Sequence, residues 1–166
     1  ANWLNYSTTG AFALPSGGSV LVRTPVVNDT ISDNNETFTL TATNTGGTGA
    51  TGTCTIKDDG TGDIYKGDGT KDMTAPKDDD RALAVTSPVV NEASPYAVFT
   101  VTGSAGQTVS LALGGGTATG GGTDYGSGTA TTNLQYSIDN GANWLNYSTT
   151  GAFALPSGGS VLVRTP

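Results

Sequence analysis

ANWLNYSTTGAFALPSGGSVLVRTP runs from Ala1 to Pro25 and returns, letter for letter, from Ala142 to Pro166. Its apolar residues alternate. Val20 and Val22 share one face of Ser19–Val27 with Val26, and Val161 and Val163 repeat Val20 and Val22. Alternation with period two is the mark of a half-buried β-strand. A match of this length reads as a tandem array with a 141-residue period. That is the size of a whole domain, not of a solenoid repeat, which cannot bury a core alone. Residues 1–62 therefore read as the back part of one repeat and 83–166 as the front part of the next. Residues 63–82, rich in Asp, Gly and Pro, read as the linker between them.

The same period extends outward from the repeated segment. Phe38, Leu40 and Ala42 alternate with Thr37, Thr39 and Thr41, while Cys54 and Ile56 form a second inward set. In the later half, Ala97, Phe99 and Val101 alternate with Tyr96, Val98 and Thr100. Val109, Leu111 and Leu113 follow, then Leu134, Tyr136 and Ile138. Threonine on the outer faces is a good strand former that keeps the surface wet. Turn signals separate the runs: Thr45-Gly-Gly-Thr-Gly, Gly114-Gly-Gly, Gly120-Gly-Gly, Asp139-Asn-Gly and Pro156-Ser-Gly-Gly. Short strands at this spacing predict an all-β, antiparallel β-sandwich.

Composition narrows the function. The chain has 166 residues, is 35% hydrophobic, and carries a net charge of −7 with no histidine. Its seven Lys and Arg cannot build the basic surface that nucleic acid requires. Anionic membranes are excluded as partners for the same reason, and no stretch is apolar enough to insert into a bilayer. Cys54 is the only cysteine, so no intrachain disulfide forms, and its strand position suggests a small core residue. With no histidine and one cysteine there is no nucleophile–base pair, which argues against an enzyme. The sequons at Asn5, Asn28 and Asn35 read as coincidence in a chain rich in Thr and Asn.

Acidic residues gather at strand ends: Asn28, Asp29, Asp33 and Glu36; Asp58 and Asp59; Glu92; and Asp124. Hard oxygen ligands converging on loops are what calcium requires, although Asp and Asn are also ordinary turn residues. Several of these stretches resemble the Calx-beta domain, an immunoglobulin-like calcium-binding sandwich of sodium–calcium exchangers and large bacterial surface proteins. Val90-Asn-Glu92 resembles its first strand. Gly116-Thr-Ala-Thr with Gly122-Thr-Asp-Tyr125 resembles its GTA…GTDY signature. Ser19 to Asp29, through Asp33, Glu36 and Phe38, resembles its acidic strand-turn-strand, and Thr55-Ile-Lys-Asp-Asp59 its closing strand. The resemblance implies Glu92, Asp124, Asn28, Asp29, Asp33, Glu36, Asp58 and Asp59 as calcium ligands. Asn28 stands where an acid is usual and Thr30 interrupts the acidic run, so fewer ions or weaker binding are expected. Glu92 and Asp124 belong to a different copy from the other six. The linker run Asp78-Asp79-Asp80 is a further candidate for a cation.

Ser137-Ile-Asp139-Asn-Gly141-Ala-Asn143-Trp144 resembles the Asp box of sialidases and other propellers, with Asn in place of Thr. In that motif Ser137, Asp139, Gly141 and Trp144 would shape a hairpin, a structural role. The arginine cluster of a sialidase is missing, since only Arg23, Arg81 and Arg164 are present.

The expectation is an extender repeat of a secreted bacterial surface adhesin, extracellular and on the cell surface, with neighbouring identical repeats as its partners and calcium stiffening domain ends and linker. Two alternatives stand beside it. One is a module that binds a glycan or a protein by avidity. The other is self-assembly, in which residues 83–166 complete a sandwich with residues 26–62 of another molecule and chains join into a filament by strand complementation.

Overall fold

The structure is a computed structural model that describes residues 3–6, 10–128, 133–147 and 151–166. Ser7 of the first sequon lies outside the described residues, as do short parts of both copies of the repeated segment. Among the described residues there is no helix, and all strand pairing is antiparallel, so the all-β expectation holds.

The strands are β1 Thr37–Thr43, β2 Gly49–Thr55, β3 Ile64–Tyr65, β4 Lys71–Asp72, β5 Ala84–Val85, β6 Ala97–Thr102, β7 Thr108–Val109, β8 Gln135–Ser137, β9 Leu145–Asn146, β10 Phe153–Ala154 and β11 Ser160–Thr165. They form a five-stranded sheet in the order β5-β6-β11-β8-β9 and three two-stranded sheets, β1-β2, β3-β4 and β7-β10.

The core lies in the later half of the chain. Val161 and Val163 alternate along β11 as their spacing predicts, and they face Val101 and Phe99 on β6. Val109 on β7, Leu134, Tyr147 and Leu155 close the cluster, with Phe99, Leu111, Tyr136 and Phe153 at its margin. Burying each of these aliphatic side chains stabilises the fold by about 1.5–3 kcal/mol. Three rings add directional packing. Tyr136 stacks on Phe153 with centroids 4.4 Å apart, and Tyr147 meets both edge-on. The Tyr147 hydroxyl also accepts the Leu111 N–H at 2.9 Å, so its polar end is satisfied as the ring is buried. Ile138, expected inward, is exposed: β8 ends at Ser137, and the buried position falls to that serine.

The first half differs. β1 and β2 pair in full register from Thr37↔Thr55 to Thr43↔Gly49, turning at Asn44–Thr48. There the Asn44 side chain accepts the Thr48 N–H at 3.0 Å. Both faces of the hairpin are nevertheless exposed. Cys54 is therefore not a core residue, and Ile56 is only half-buried. The expected strand over Ser19–Val27 is also missing, and Val20, Val22 and Val26 are exposed. The reason is the same in each case: among the described residues β1 and β2 touch no other strand, so alternation finds nothing to pack against.

Within residues 63–82, expected as a linker, the chain pairs with itself. β3 and β4 pair at Ile64↔Asp72 and Tyr65↔Lys71, around a turn in which Gly69 has φ 89°. A bridge between Asp59 and Asp79 closes the base of this loop.

Candidate metal centre

The bridge at the base of the linker brings together two acidic runs that lie about twenty residues apart in the chain. The Asp80 N–H donates to the Asp58 carbonyl at 2.9 Å, and the Gly60 N–H to the Asp78 carbonyl at 2.8 Å. Gly60 takes φ 77°, where a side chain would be strained, and a Cβ there would press on the Asp79 carboxylate. Asp58-Asp59 and Asp78-Asp79-Asp80 thus lie side by side.

Their side chains divide into committed and uncommitted groups. Asp59 is committed. Its Oδ1 accepts the Thr61 N–H at 3.0 Å and also the Thr61 hydroxyl, and its Oδ2 accepts the Asn34 amide at 2.6 Å. The Thr61 hydroxyl, helped by the Asn34 amide, the Thr61 N–H and Lys57, holds the Asp59 carboxyl down at about 2. Asp79 is committed to Arg81, whose guanidinium grips both carboxylate oxygens at 2.8 and 2.6 Å and pulls its pKa below the ordinary range.

Asp58 is different. It is only 8% exposed; its Oδ2 accepts the Asp33 N–H at 2.7 Å, but its buried Oδ1 has no hydrogen-bond partner. The buried Oδ1 of Asn34 is also without one. Leaving such groups unpaired inside a fold costs about 1–3 kcal/mol each. Asp80 adds repulsion. Burial first, then Asp78, Asp58 and Asp29, push its carboxyl above the usual carboxylate range.

Not every expected ligand joins this group. Asp29 reaches it through its charge on Asp80, although its Oδ1 also accepts the Ile31 N–H at 2.8 Å. Asp33 contributes its backbone, and its side chain is exposed. Glu36 and Asp29 line an open groove of ≈ 340 Å³ with Val26, Val27, Phe38 and Ile56. Asn28 is exposed. Asp124 instead closes its own turn, accepting the Thr119 N–H at 2.7 Å, and Glu92 sits in the exposed turn after Asn91. Among the described residues no hydrogen bond or ion pair joins Glu92 or Asp124 to Asp58. Nor do three Asp, Glu, His or Cys side chains converge there into a ready-made metal cage. What the described residues do offer is mixed: Asp58 and Asn34 each keep one buried, unpartnered oxygen, and Asp78 and Asp80 lie beside Asp58 and Asp59 along the bridge. Calcium accepts such mixtures of carboxylate and amide oxygens.

A further pattern in the sequence explains three of the acids. Asp59-Gly-Thr61, Asp68-Gly-Thr70 and Asp72-Met-Thr74 share the spacing Asp-x-Thr. In each, the aspartate accepts both the N–H and the hydroxyl of the threonine. This is the side-chain-to-backbone turn, and it accounts for three of the fourteen acidic residues without any metal.

The Asp-box-like segment forms the turn between β8 and β9. The Ser137 hydroxyl donates to Asp139 at 2.7 Å and accepts the Gly141 N–H at 2.8 Å. Asn143 gives Asp139 two donors, its N–H at 2.9 Å and its side-chain amide at 2.6 Å, so asparagine in the threonine position supplies both a backbone and a side-chain donor. Asn143, with Ser137, holds the Asp139 carboxyl down at about 2. Gly141 has φ 88°, and Trp144 stacks beneath the Arg164 guanidinium at 4.0 Å.

No family model matches the chain, and neither a curated protein nor a solved structure matches it significantly.

Proposed function

We propose that the chain is a non-catalytic extender repeat of a bacterial surface protein, working outside the cell, with an immunoglobulin-like sandwich unit of Calx-beta type. In this reading calcium stiffens the joint between successive units. The observation that supports it is the buried, unpartnered Oδ1 of Asp58 at the point where the linker folds back and Asp78 and Asp80 crowd in. A divalent cation there satisfies Asp58 and Asn34 and cancels the repulsion that raises Asp80. Neutralised, the linker base holds β2 and β5 in fixed relation, and identical units in series gain reach. A glycan-stacking role has less support, because an arginine already covers one face of both tryptophans.

The test is small-angle scattering and thermal unfolding in millimolar calcium and then in excess chelator. Calcium is expected to raise the unfolding midpoint and narrow the distribution of end-to-end distances. Asp80→Asn is expected to raise the midpoint in chelator and shrink the response to calcium, because it removes the same repulsion. Identical behaviour of the wild-type chain in both buffers sinks the reading.

A further inference from the structure

Asn140-Gly141 is the only Asn-Gly pair in the chain. A glycine after an asparagine leaves the asparagine amide open to attack by the next backbone nitrogen, because no Cβ shields that nitrogen. The pair fills the two central positions of the turn between β8 and β9. Asn140 has φ 57° and Gly141 φ 88°, the positive pair that a type I′ turn takes. The Ala142 N–H closes the turn by donating to the Asp139 carbonyl at 3.4 Å. Asn140 is exposed and lines an open groove of ≈ 220 Å³, so water reaches it. The attacking nitrogen, by contrast, is engaged. The Gly141 N–H donates at 2.8 Å to the Ser137 hydroxyl, and Ser137 is only 1% exposed.

We propose that Asn140 is a site of spontaneous covalent modification, and that Ser137 is the positioning residue that holds it shut. When the turn opens, the Gly141 nitrogen bonds to the Asn140 Cγ. The Cγ–Nδ2 bond breaks, and Nδ2 leaves as ammonia with the proton from the Gly141 N–H. The cyclic imide then takes up one water. Opening at the side-chain carbonyl gives aspartate. Opening at the backbone carbonyl gives isoaspartate, whose main chain runs through the former side chain and is longer by a methylene. Water is the only co-reactant, and nothing is oxidised or reduced. While the Gly141 N–H is bonded to Ser137, the nitrogen keeps its proton and the backbone stays fixed in the left-handed turn.

The consequence reaches beyond the turn. Either product sets a new carboxylate beside Asp139, and isoaspartate also lengthens a turn that fixes the β8–β9 register. β9 is the edge strand of the five-stranded sheet, paired to β8 at Tyr136↔Leu145 and Gln135↔Asn146. Trp144, just before it, lies 4.0 Å from the Arg164 guanidinium. Modification therefore loosens this edge, and refolding does not reverse it. The site keeps a chemical record that the hairpin has opened, whether or not a cation sits at the linker base.

The test incubates the full chain in warm, mildly alkaline buffer, folded and in urea, and follows Asn140 by peptide mapping that separates aspartate from isoaspartate. Asn140 is expected to persist in the folded chain and to be lost in urea, where Gly141→Ala slows the loss manyfold. In the folded state, Ser137→Ala is expected to raise both the loss and the hydrogen exchange of the Gly141 amide by about fivefold, the worth of one hydrogen bond. Leu155→Ala, which weakens the core, is expected to leave both at wild-type rates. Equal loss from folded and unfolded wild type overturns the proposal, as does a wild-type rate in Ser137→Ala with the sheet intact. So does an equal rise in Ser137→Ala and Leu155→Ala, which would make Ser137 a source of stability only. Should Ser137→Ala fail to fold, the Gly141 amide of the wild type decides: slow exchange in the folded chain is expected, and exchange as fast as in urea overturns the proposal.

Discussion

Residues 10–25 and 151–166 are one sequence in two environments, and the contrast separates what is local from what is not. Val161, Val163 and Leu155 are 2, 4 and 3% exposed, whereas Val20, Val22 and Leu14 are 45, 59 and 59% exposed. Yet some features are the same in both copies. The Gly18 N–H donates to the Pro15 carbonyl at 2.8 Å, and the Gly159 N–H to the Pro156 carbonyl at 2.8 Å. Arg23 lies 4.0 Å over Trp3, as Arg164 lies 4.0 Å over Trp144. A turn closed over four residues needs no partner strand, and neither does an arginine lying on a tryptophan. Strand and burial need β6 and β8. Alternation alone is therefore not sufficient for a strand, and the partner completes it.

The largest expected effect tests this contrast directly. In dilute solution, Leu155→Ala is expected to cost about 3 kcal/mol of unfolding free energy. Leu14→Ala, the same substitution in the other copy, is expected to stay within about 0.5 kcal/mol. Equal costs in denaturant titration would mean that the first copy is also packed.

The paired glycines extend the comparison to the backbone. Gly18 and Gly159 have φ 69° and 63°, so alanine at either is strained by about 1 kcal/mol. A Cβ on Gly159 would also collide with the Gly103 carbonyl, while one on Gly18 meets nothing within 4 Å. Gly159→Ala is expected to destabilise by about 2–3 kcal/mol and Gly18→Ala by about 1. Thermal unfolding of the two variants measures the difference.

A smaller effect is expected at the arginines. Arg164 is held between Tyr96 at 4.1 Å and Trp144 at 4.0 Å, and its Nε donates to Gln135 at 2.8 Å. Arg164→Ala is expected to cost about 1–2 kcal/mol, and Arg23→Ala, where the arginine stacks on Trp3 alone among the described residues, less than about 1. Equal losses would place the two stacks in equivalent surroundings.

The smallest effect is in pH. Asp139 is depressed to about 2 from 3.8, so the stability it lends is present above pH 3.8 and lost as pH falls toward 2. The turn it organises carries Trp144, whereas Trp3 donates to the Gly67 carbonyl. With Trp3→Phe isolating Trp144, fluorescence is expected to change between about pH 4 and 2, and Asp139→Asn is expected to remove that change.

Much of the fold was legible in the sequence. The alternation over Glu36–Asn44 and around Ala97–Val101 became β1 and β6, and Val161 and Val163 face the core. Cys54, Ile56 and Ile138 depart from expectation because period two says which residues share a face and not whether that face is covered. In the candidate site, Asp58, Asp59 and the Asp78–Asp80 run were legible as acidic clusters. Their meeting was not, because it depends on one bridge closing a loop across 60–78. Asn34 carries no distinguishing pattern, since an amide in an asparagine-rich turn looks like any other.

The amino-acid order alone was enough for the period, the all-β class, the acidic balance and short-range devices such as the Pro-Ser-Gly-Gly turns and the Ser137–Trp144 hairpin. These act within a few residues, so neighbours along the chain suffice to form them. Three things waited on the folded arrangement: which copy of a repeated segment is buried, which aspartates keep a free oxygen, and which hairpin stands uncovered. Burial and charge crowding are properties of groups brought together across the fold, and identical sequences receive different shares of them.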